Sequence, residues 1–537
     1  MAPKGRQSDR RGLFALFYGE VRSSVSLVEF VIPMAFERAS GILLHPTSLP
    51  SSFGIGDLGE NAYRFVDFLA RSGQKIWQIL PLGPTGYEHS PYTMNYSAFA
   101  GNPLMISLEQ LAAEGLLNSE ELTPLTGEDV SGNRVNFDRV IPHKYGFLKQ
   151  AYATFKEQLT EEENSAFTEF CQQQASWLDD YVLFMSLMEE NGGQAWNHWE
   201  PAIARREPQS LARKKEALAD SILYHQFLQF KFFEQWRNLR QYTNEKGIQI
   251  IGDVSIYVCH NSSDVWANPG IFKLDPQTLE PAWMAGVPPD YFSATGQLWG
   301  NPVYDWDKLQ ETNYAWWIER FRATLQYVDV VRIDHFRGFE AYWQVPAGEE
   351  TAMNGEWVKA PGFEFFQTLG EALGSLPVLA EDLGIITPEV EELRDHFNFP
   401  GMKILLFAFG GGADNAYLPH NYPQNAIVYT GTHDNDTSVG WWQNASEKEK
   451  QHLAQYLGYA SPEEITEISW LLIRTALASV AVWAILPLQD LFSLDNQGRM
   501  NDPSVSAGNW RWRYDNPGML SDELGDRLRH LTQSYGR

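Results

Sequence analysis

Cysteine is nearly absent from this chain. Cys171 and Cys259 stand alone among 537 residues and share no local motif. A disulfide framework and a cysteine-based metal site are therefore excluded, and a reducing compartment, the cytoplasm, is the expected setting. Positive charge is scarce too: 41 Lys and Arg face 68 Asp and Glu, for a formal charge of −27. Nucleic-acid phosphates demand a basic face. No Lys/Arg-rich run in the body of the chain supplies one, so no nucleic-acid partner is expected. Nor is there an apolar run of the ~18 residues that a membrane span needs. Repeats and low-complexity tracts are missing as well.

Aromatic residues are abundant. They make up 14% of the chain, with 19 Trp, inside a hydrophobic share of 44% that marks a globular protein. The length exceeds one minimal core. Residues 1–33 differ from the rest. They carry Lys4, Arg6, Arg10, Arg11 and Arg22 against few acids, and Glu20, Arg22 and Glu29 break their apolar pieces. A secretory signal fits that pattern badly. We read an N-terminal extension that packs poorly, followed by a catalytic domain over residues 34–537.

Short β-rich apolar runs recur through that domain, each ending in polar residues. They are "KIWQILPLGPTG" (75–86), "IQIIGDVSIYV" (248–258), "VDVVRIDHF" (328–336), "PVLAEDLG" (377–384), "MKILLFAFG" (402–410), "AIVYTGTHD" (426–434) and "VAVWAILPLQD" (480–490), with "GNPLMISL" (101–108) as a further candidate. Runs that are apolar throughout suit parallel strands buried on both faces. Helical patterns lie between them. "NAYRFVDFLARSG" (61–73) stops at a glycine, and "TPEVEELRDHF" (387–397) opens on a Thr cap, a Pro and acids. Strand–helix alternation of about eight units predicts an α/β fold, a (β/α)8 TIM barrel. Residues 110–246 read as a mostly helical insertion. Residues 259–305, rich in Gly, Pro, Asn and Trp, read as a loop region that covers substrate.

Three strand ends carry an acid in polar company. Asp334 follows Arg332, Glu381 sits in "LAEDLG", and Asp434 sits in "GTHDNDT" beside His433. Strand ends converge on one mouth of a barrel. Like charges gathered there raise the pKa of one acid and keep it as a proton donor. Cleavage of a glycosidic bond needs such a donor, a carboxylate nucleophile and support for an oxocarbenium-like transition state. A metal site built on His433, Asp434 and Asp436 is the competing use, but the set lacks a paired His or Cys motif. His335 and Arg337 read as hydrogen-bonding partners of the barrel loops. Flat aromatic faces suit pyranose rings, and "PPDYFSATGQLWGNP" (288–302), "PTGYEHSPYTMNYSAF" (84–99) and "MNDPSVSAGNWRWRY" (500–514) mix them with polar groups.

Taken together, "GILLHPTSLPS", "WQILPLGPTGY", "DVWANP", "AGVPPDYFSATGQLWGNPVYDW", "RIDHFRGFEAYW", "VLAEDLG" and "YTGTHDNDT" resemble the amylomaltases. These are the 4-α-glucanotransferases, or disproportionating enzymes, of glycoside hydrolase family 77. The likeness runs from about Gly41 to Arg513. It implies transfer of α-1,4-glucan segments between maltooligosaccharides, with glucose among the acceptors, and no metal or organic cofactor. Asp334 would be the nucleophile, Glu381 the general acid/base and Asp434 the transition-state stabiliser. Arg332 would keep the nucleophile ionised, His433 would bond the donor sugar, Tyr92 would stack on it, and Asp253 would bind its hydroxyls. Asp290, Gln297 and Trp299 would lie near the glucan, beside a loop over residues 286–293, with Asn501 on a facing loop. Tyr87 would belong to a second glucan site. The chain departs from the family pattern at Ser255, Cys259, Asn261, Glu200, Ser504 and Val505. None of these is a proposed catalytic acid, so the departures bear on subsite preference. Two rival readings remain: an α-amylase-like hydrolase using the same acids, and a silent glucan-binding protein, which would have no use for a nucleophile.

Overall fold

The computed structural model describes residues 36–537 apart from 87–88, 93–94, 128–131, 159, 290–292 and 506. The expected N-terminal extension lies outside the described residues. Along those residues the strands are β1 (Ala39–Leu43), β2 (Ile76–Gln78), β3 (Gln249–Ser255), β4 (Trp283–Val287), β5 (Gln297–Pro302), β6 (Val330–Asp334), β7 (Ala341–Pro346), β8 (Glu356–Lys359), β9 (Val378–Ala380), β10 (Gly401–Ile404), β11 (Ala426–Tyr429) and β12 (Trp483–Pro487).

Eight of them form one parallel sheet in the order β10-β11-β12-β1-β2-β3-β6-β9. β1, β2, β11 and β12 are buried along their whole length, as strands covered on both faces must be. The two ends of the sheet meet where the Ala380 N–H donates to the Pro400 carbonyl at 3.0 Å. Beside that bond the Met402 N–H donates to the Asp382 carboxylate at 2.6 Å. The result is a nearly closed (β/α)8 barrel, as the strand–helix alternation predicts.

Seven of the eight barrel strands coincide with the apolar runs of the sequence, to within one residue at Gly401. The eighth does not. "GNPLMISL" is no strand: Asn102 caps a 3-10 turn at Pro103–Met105, and Ser107 caps a helix over Leu108–Ala113. The missing strand is β1, whose Ser40 and Gly41 dilute its apolar signal. Gly41 is there for a packing reason. A Cβ at this position would lie 2.3 Å from the Ile76 carbonyl oxygen of β2.

Between β2 and β3 the chain is helical, with long helices at Phe137–Gln158, Glu161–Gln173, Ala175–Glu190 and Ala219–Glu245. Much of the aromatic richness is spent here and in the barrel wall. Trp77, Trp196, Trp236, Trp266, Trp317, Trp483 and Trp512 are fully buried. At Pro388–His396 the predicted helix forms with Pro388 in its first turn, but the Thr387 side chain does not bond its N-terminal amides.

The segment 259–305 is not structureless. It contributes β4 and β5 to a four-stranded antiparallel sheet, β5-β4-β7-β8. Gly286, Gly300 and Pro302 hide those strands from any periodicity reading. The sheet continues directly from the strand that carries Asp334, so it rises beside the barrel mouth.

Gly41→Ala tests the β1–β2 contact. The added methyl must push the two strands apart, and the variant should lose about 1–3 kcal/mol. The loss would be read as a lower urea midpoint. An unchanged midpoint would show that the close approach is not required.

Candidate active site

Parallel strands bring their C-terminal ends to one mouth. Here β3 delivers Asp253, β6 delivers Arg332 and Asp334, β9 leads into Glu381, and β11 leads into His433 and Asp434. Arg332 and Asp334 are two residues apart on one strand, so their side chains share a face. Asp253 is the direct register partner of Arg332 across the β3–β6 ladder.

The Arg332 guanidinium fills the space between. Its Nη1 donates to Asp253 Oδ1 and Oδ2 at 2.7 and 2.6 Å, and to Asp334 Oδ1 at 3.0 Å. Tyr92 adds a third bond, its hydroxyl donating to Asp253 Oδ2 at 2.8 Å. Burial opposes the charge on Arg332, yet Asp253 and Asp334 hold its pKa well above the ordinary value. Burial raises the pKa of Asp253, with Arg332 pulling against it. Both Asp253 oxygens already accept bonds from protein donors.

Glu381 sits differently. Its Oε2 accepts from the His335 N–H at 2.7 Å and its Oε1 from the Leu383 N–H at 2.9 Å. Those two donors favour the carboxylate. Burial and the nearby charge of Asp334 outweigh them and push the pKa up to about 8. His335 holds its amide in place through a left-handed backbone, φ 54°. Its ring stays neutral, because burial drives the pKa down to about 4. Trp299 packs edge-on against that ring at 4.9 Å and donates its indole N–H to Gln297 at 3.2 Å.

On the opposite side Asp434 Oδ1 accepts from Asn501 Nδ2 at 2.7 Å and lies 3.4 Å from His433 Nε2. Tyr92 and His433 stack at 5.1 Å, nearly parallel, and Trp510 leans on both rings at 5.6 and 5.9 Å. Among the described residues no three His, Cys, Asp or Glu gather as a metal-binding set. Asp436 is instead paired with Arg499 at 2.6 Å.

The structure thus brings together Tyr92, Asp253, Arg332, Asp334, Glu381, His433, Asp434 and Asn501, with Gln297 and Trp299 beside His335. Tyr87 and Asp290 lie outside the described residues. The sequence reading overlooked two groups. One is the backbone amide of His335. The other is Arg499, which donates to the carbonyls of Asp434 and Asn501 at 2.7 and 2.8 Å and so pins the two facing loops together. Its position in "GRMND", two residues before Asn501, was the only signal.

Comparison with known proteins gives one answer. Residues 44–519 match the family model described as 4-alpha-glucanotransferase. A 4-alpha-glucanotransferase of Synechocystis sp. is 57% identical over 509 residues, covering 94% of this chain and 99% of that protein. One from Thermus thermophilus is 48% identical, covering 94% and 100%. Among solved structures, the amylomaltase of Streptococcus agalactiae in complex with acarbose superposes with a TM-score of 0.89 at 40% identity, covering 93% of this chain and 100% of that one. With this extent of identity around a mouth so equipped, the chain belongs to the 4-alpha-glucanotransferase family.

Proposed function

We propose that this enzyme moves α-1,4-glucan segments from a donor to the 4-hydroxyl of an acceptor glucan or of glucose, with retention, and that Asp334, Glu381 and Asp434 do the chemistry. One observation carries the assignment of roles. Two carboxyls on neighbouring strands sit in opposite environments. Asp334 is ion-paired to a buried arginine, and Glu381 is driven towards its protonated form. A nucleophile and an acid need that division.

In the first half-reaction Asp334 attacks the anomeric carbon and the glycosidic C–O bond breaks. The proton of Glu381 passes to the departing 4-oxygen. Both Glu381 oxygens rest on backbone N–H donors, so the protonated acid must give up one of these bonds to reach the leaving group. Asp434, oriented by Asn501, faces the charge that develops on the sugar ring. In the second half-reaction the acceptor 4-hydroxyl gives its proton to Glu381 and attacks the same carbon, and Asp334 leaves as a carboxylate. The Tyr92–His433–Trp510 rings offer the donor sugar a wall, and Arg332 and Asp253 brace the nucleophile from below. Trp299 and Gln297 favour a covered acceptor side, where a sugar hydroxyl outcompetes water. Hydrolysis by the same acids is the alternative that such covering disfavours. The two free thiols, Cys171 and Cys259, fit a cytoplasmic setting. Among the described residues no helix is long and apolar enough to cross a membrane.

Donor chemistry separates the roles. Glu381→Gln should be slower with maltotriose by roughly a hundredfold or more. It should lose far less in the first-turnover burst of fluoride from maltosyl fluoride, whose leaving group needs little protonation. Asp334→Asn should be inactive with both donors, and Asp434→Asn slow with both. Equal losses of Glu381→Gln on the two donors would remove Glu381 from the acid role.

The raised pKa of Glu381 sets the pH profile. The first step needs the protonated acid, so kcat/KM for maltotriose should hold below and fall as pH rises through about 8. The same limb should be absent with maltosyl fluoride. A fall centred near the ordinary glutamate pKa, or an identical limb with both donors, would contradict the assignment.

A further inference from the structure

Strand β3 brings more to the mouth than Asp253. Its last residue, Ser255, is one of the positions at which the chain departs from the family pattern, and the chemistry above leaves it unused. The β3–β6 register pairs Asp253 with Arg332 and Ser255 with Asp334. The Asp253 and Arg332 side chains meet, so they point to one face of the sheet. Asp334 bonds the same guanidinium and shares that face. Residues two apart on a strand point the same way. The Ser255 side chain therefore stands beside the Asp334 side chain, one strand spacing of about 4.8 Å away. The five residues before Ser255 are buried, and Ser255 is only half-buried. With Tyr92, Asp253 and Tyr257 it lines a cavity of about 70 Å³. Those neighbours reach both sides of the cleavage point. Tyr92 bonds Asp253 at the donor wall, and Tyr257 packs against Trp299 at 6.3 Å. Ser255 lies between them in the chain and level with the nucleophile.

From this we infer that the Ser255 hydroxyl hydrogen-bonds a hydroxyl of the very sugar that Asp334 attacks. An attacking oxygen and its target carbon stand about 3–3.5 Å apart, so that sugar lies directly over Asp334. Its anomeric carbon is flanked on one side by C2, which carries a hydroxyl. On the other side is the ring oxygen, beyond which the next carbon carries the 6-hydroxymethyl group. These two hydroxyls are the ones that come level with a side chain one strand away from the nucleophile. Asp434, His433 and Asn501 hold the far side of the site. A serine hydroxyl both donates and accepts, so it can pair with either group. It also brings no charge next to Asp334, whose ionisation stays under the control of Arg332. The contact selects a donor ring that carries this hydroxyl and holds its anomeric carbon over the nucleophile. This inference rests on the assignment of Asp334.

The test follows the first-turnover burst of fluoride, which involves the donor sugar and no acceptor. Wild type, Ser255→Ala and Ser255→Thr are compared on maltosyl fluoride and on its 2-deoxy and 6-deoxy forms, the missing hydroxyl being on the ring that bears fluorine. Ser255→Ala should be slower than wild type by roughly three- to tenfold on maltosyl fluoride and on one deoxy form. On the other deoxy form the two proteins should react alike, and that form identifies the hydroxyl. Ser255→Thr, which keeps the hydroxyl, should recover most of the rate on maltosyl fluoride. Equal rates of wild type and Ser255→Ala on maltosyl fluoride would overturn the contact. So would the same loss on all three donors, which would make Ser255 a support for Asp334 and not a partner of the sugar. Failure of the nucleophile assignment has a different signature. Asp334→Asn would then keep its fluoride burst, and the difference between donors in Ser255→Ala would still decide the contact.

Discussion

A single buried cation organises this active site. The Arg332 guanidinium lies between Asp253 and Asp334 and bonds both. A buried charge left without its partner costs several kcal/mol, so none of the three can move or be lost alone. Their relative positions come from the β3–β6 ladder, which sets Asp253 opposite Arg332. A one-residue slip would turn every side chain of the strand to the other face. The register that closes the barrel and the geometry that aims Asp334 are the same constraint.

Glu381 is governed by the opposite means. No cation bonds it directly, and the pull of the Arg332 charge is too small to offset burial. Two backbone amides hold it, and burial with a like charge nearby drives it to protonate. The His335 amide points at it because that residue takes a left-handed conformation, which costs a non-glycine residue of order 1 kcal/mol. The chain just beyond must then stay slim. A Cβ on Gly338 would fall 2.6 Å from Ile256 and 3.1 Å from the His335 ring. Opposite, Arg499 reaches backbone carbonyls in both facing loops and so fixes the distance between Asp434 and Asn501. Glu381 is held by main-chain N–H donors and the Asp434 loop through its main-chain carbonyl, and such contacts leave little trace in residue type.

That explains what could be read from the sequence and what could not. Strands buried on both faces are apolar throughout, so β2, β3, β6 and β9 to β12 stand out. β1 does not, because closeness to β2 forces a glycine into it. β4 and β5 are half-exposed and glycine-bearing, so they read as loop. The acids at the mouth were legible because an acid ending an apolar run is conspicuous. The part played by His335 depends on a φ angle, and that of Arg499 on the main-chain carbonyl of Asp434, 65 residues away. Neither has a sequence signature. The aromatic residues were the least informative. Most of the tryptophans build the core, and only the fold shows that Trp299 packs on His335 and that Trp510 leans on Tyr92 and His433.

A carboxylate oxygen of Asp334 is proposed as the nucleophile. Its most direct test is to trap the covalent intermediate and find where the sugar sits. Glu381→Gln treated with maltosyl fluoride should accumulate a glycosyl-enzyme, because no base remains to activate an acceptor. Proteolysis and tandem mass spectrometry should then place the added maltosyl group on Asp334, within "VVRIDHF". A label on Asp434 or Asp253, or turnover with no covalent species on any carboxylate, would contradict the account.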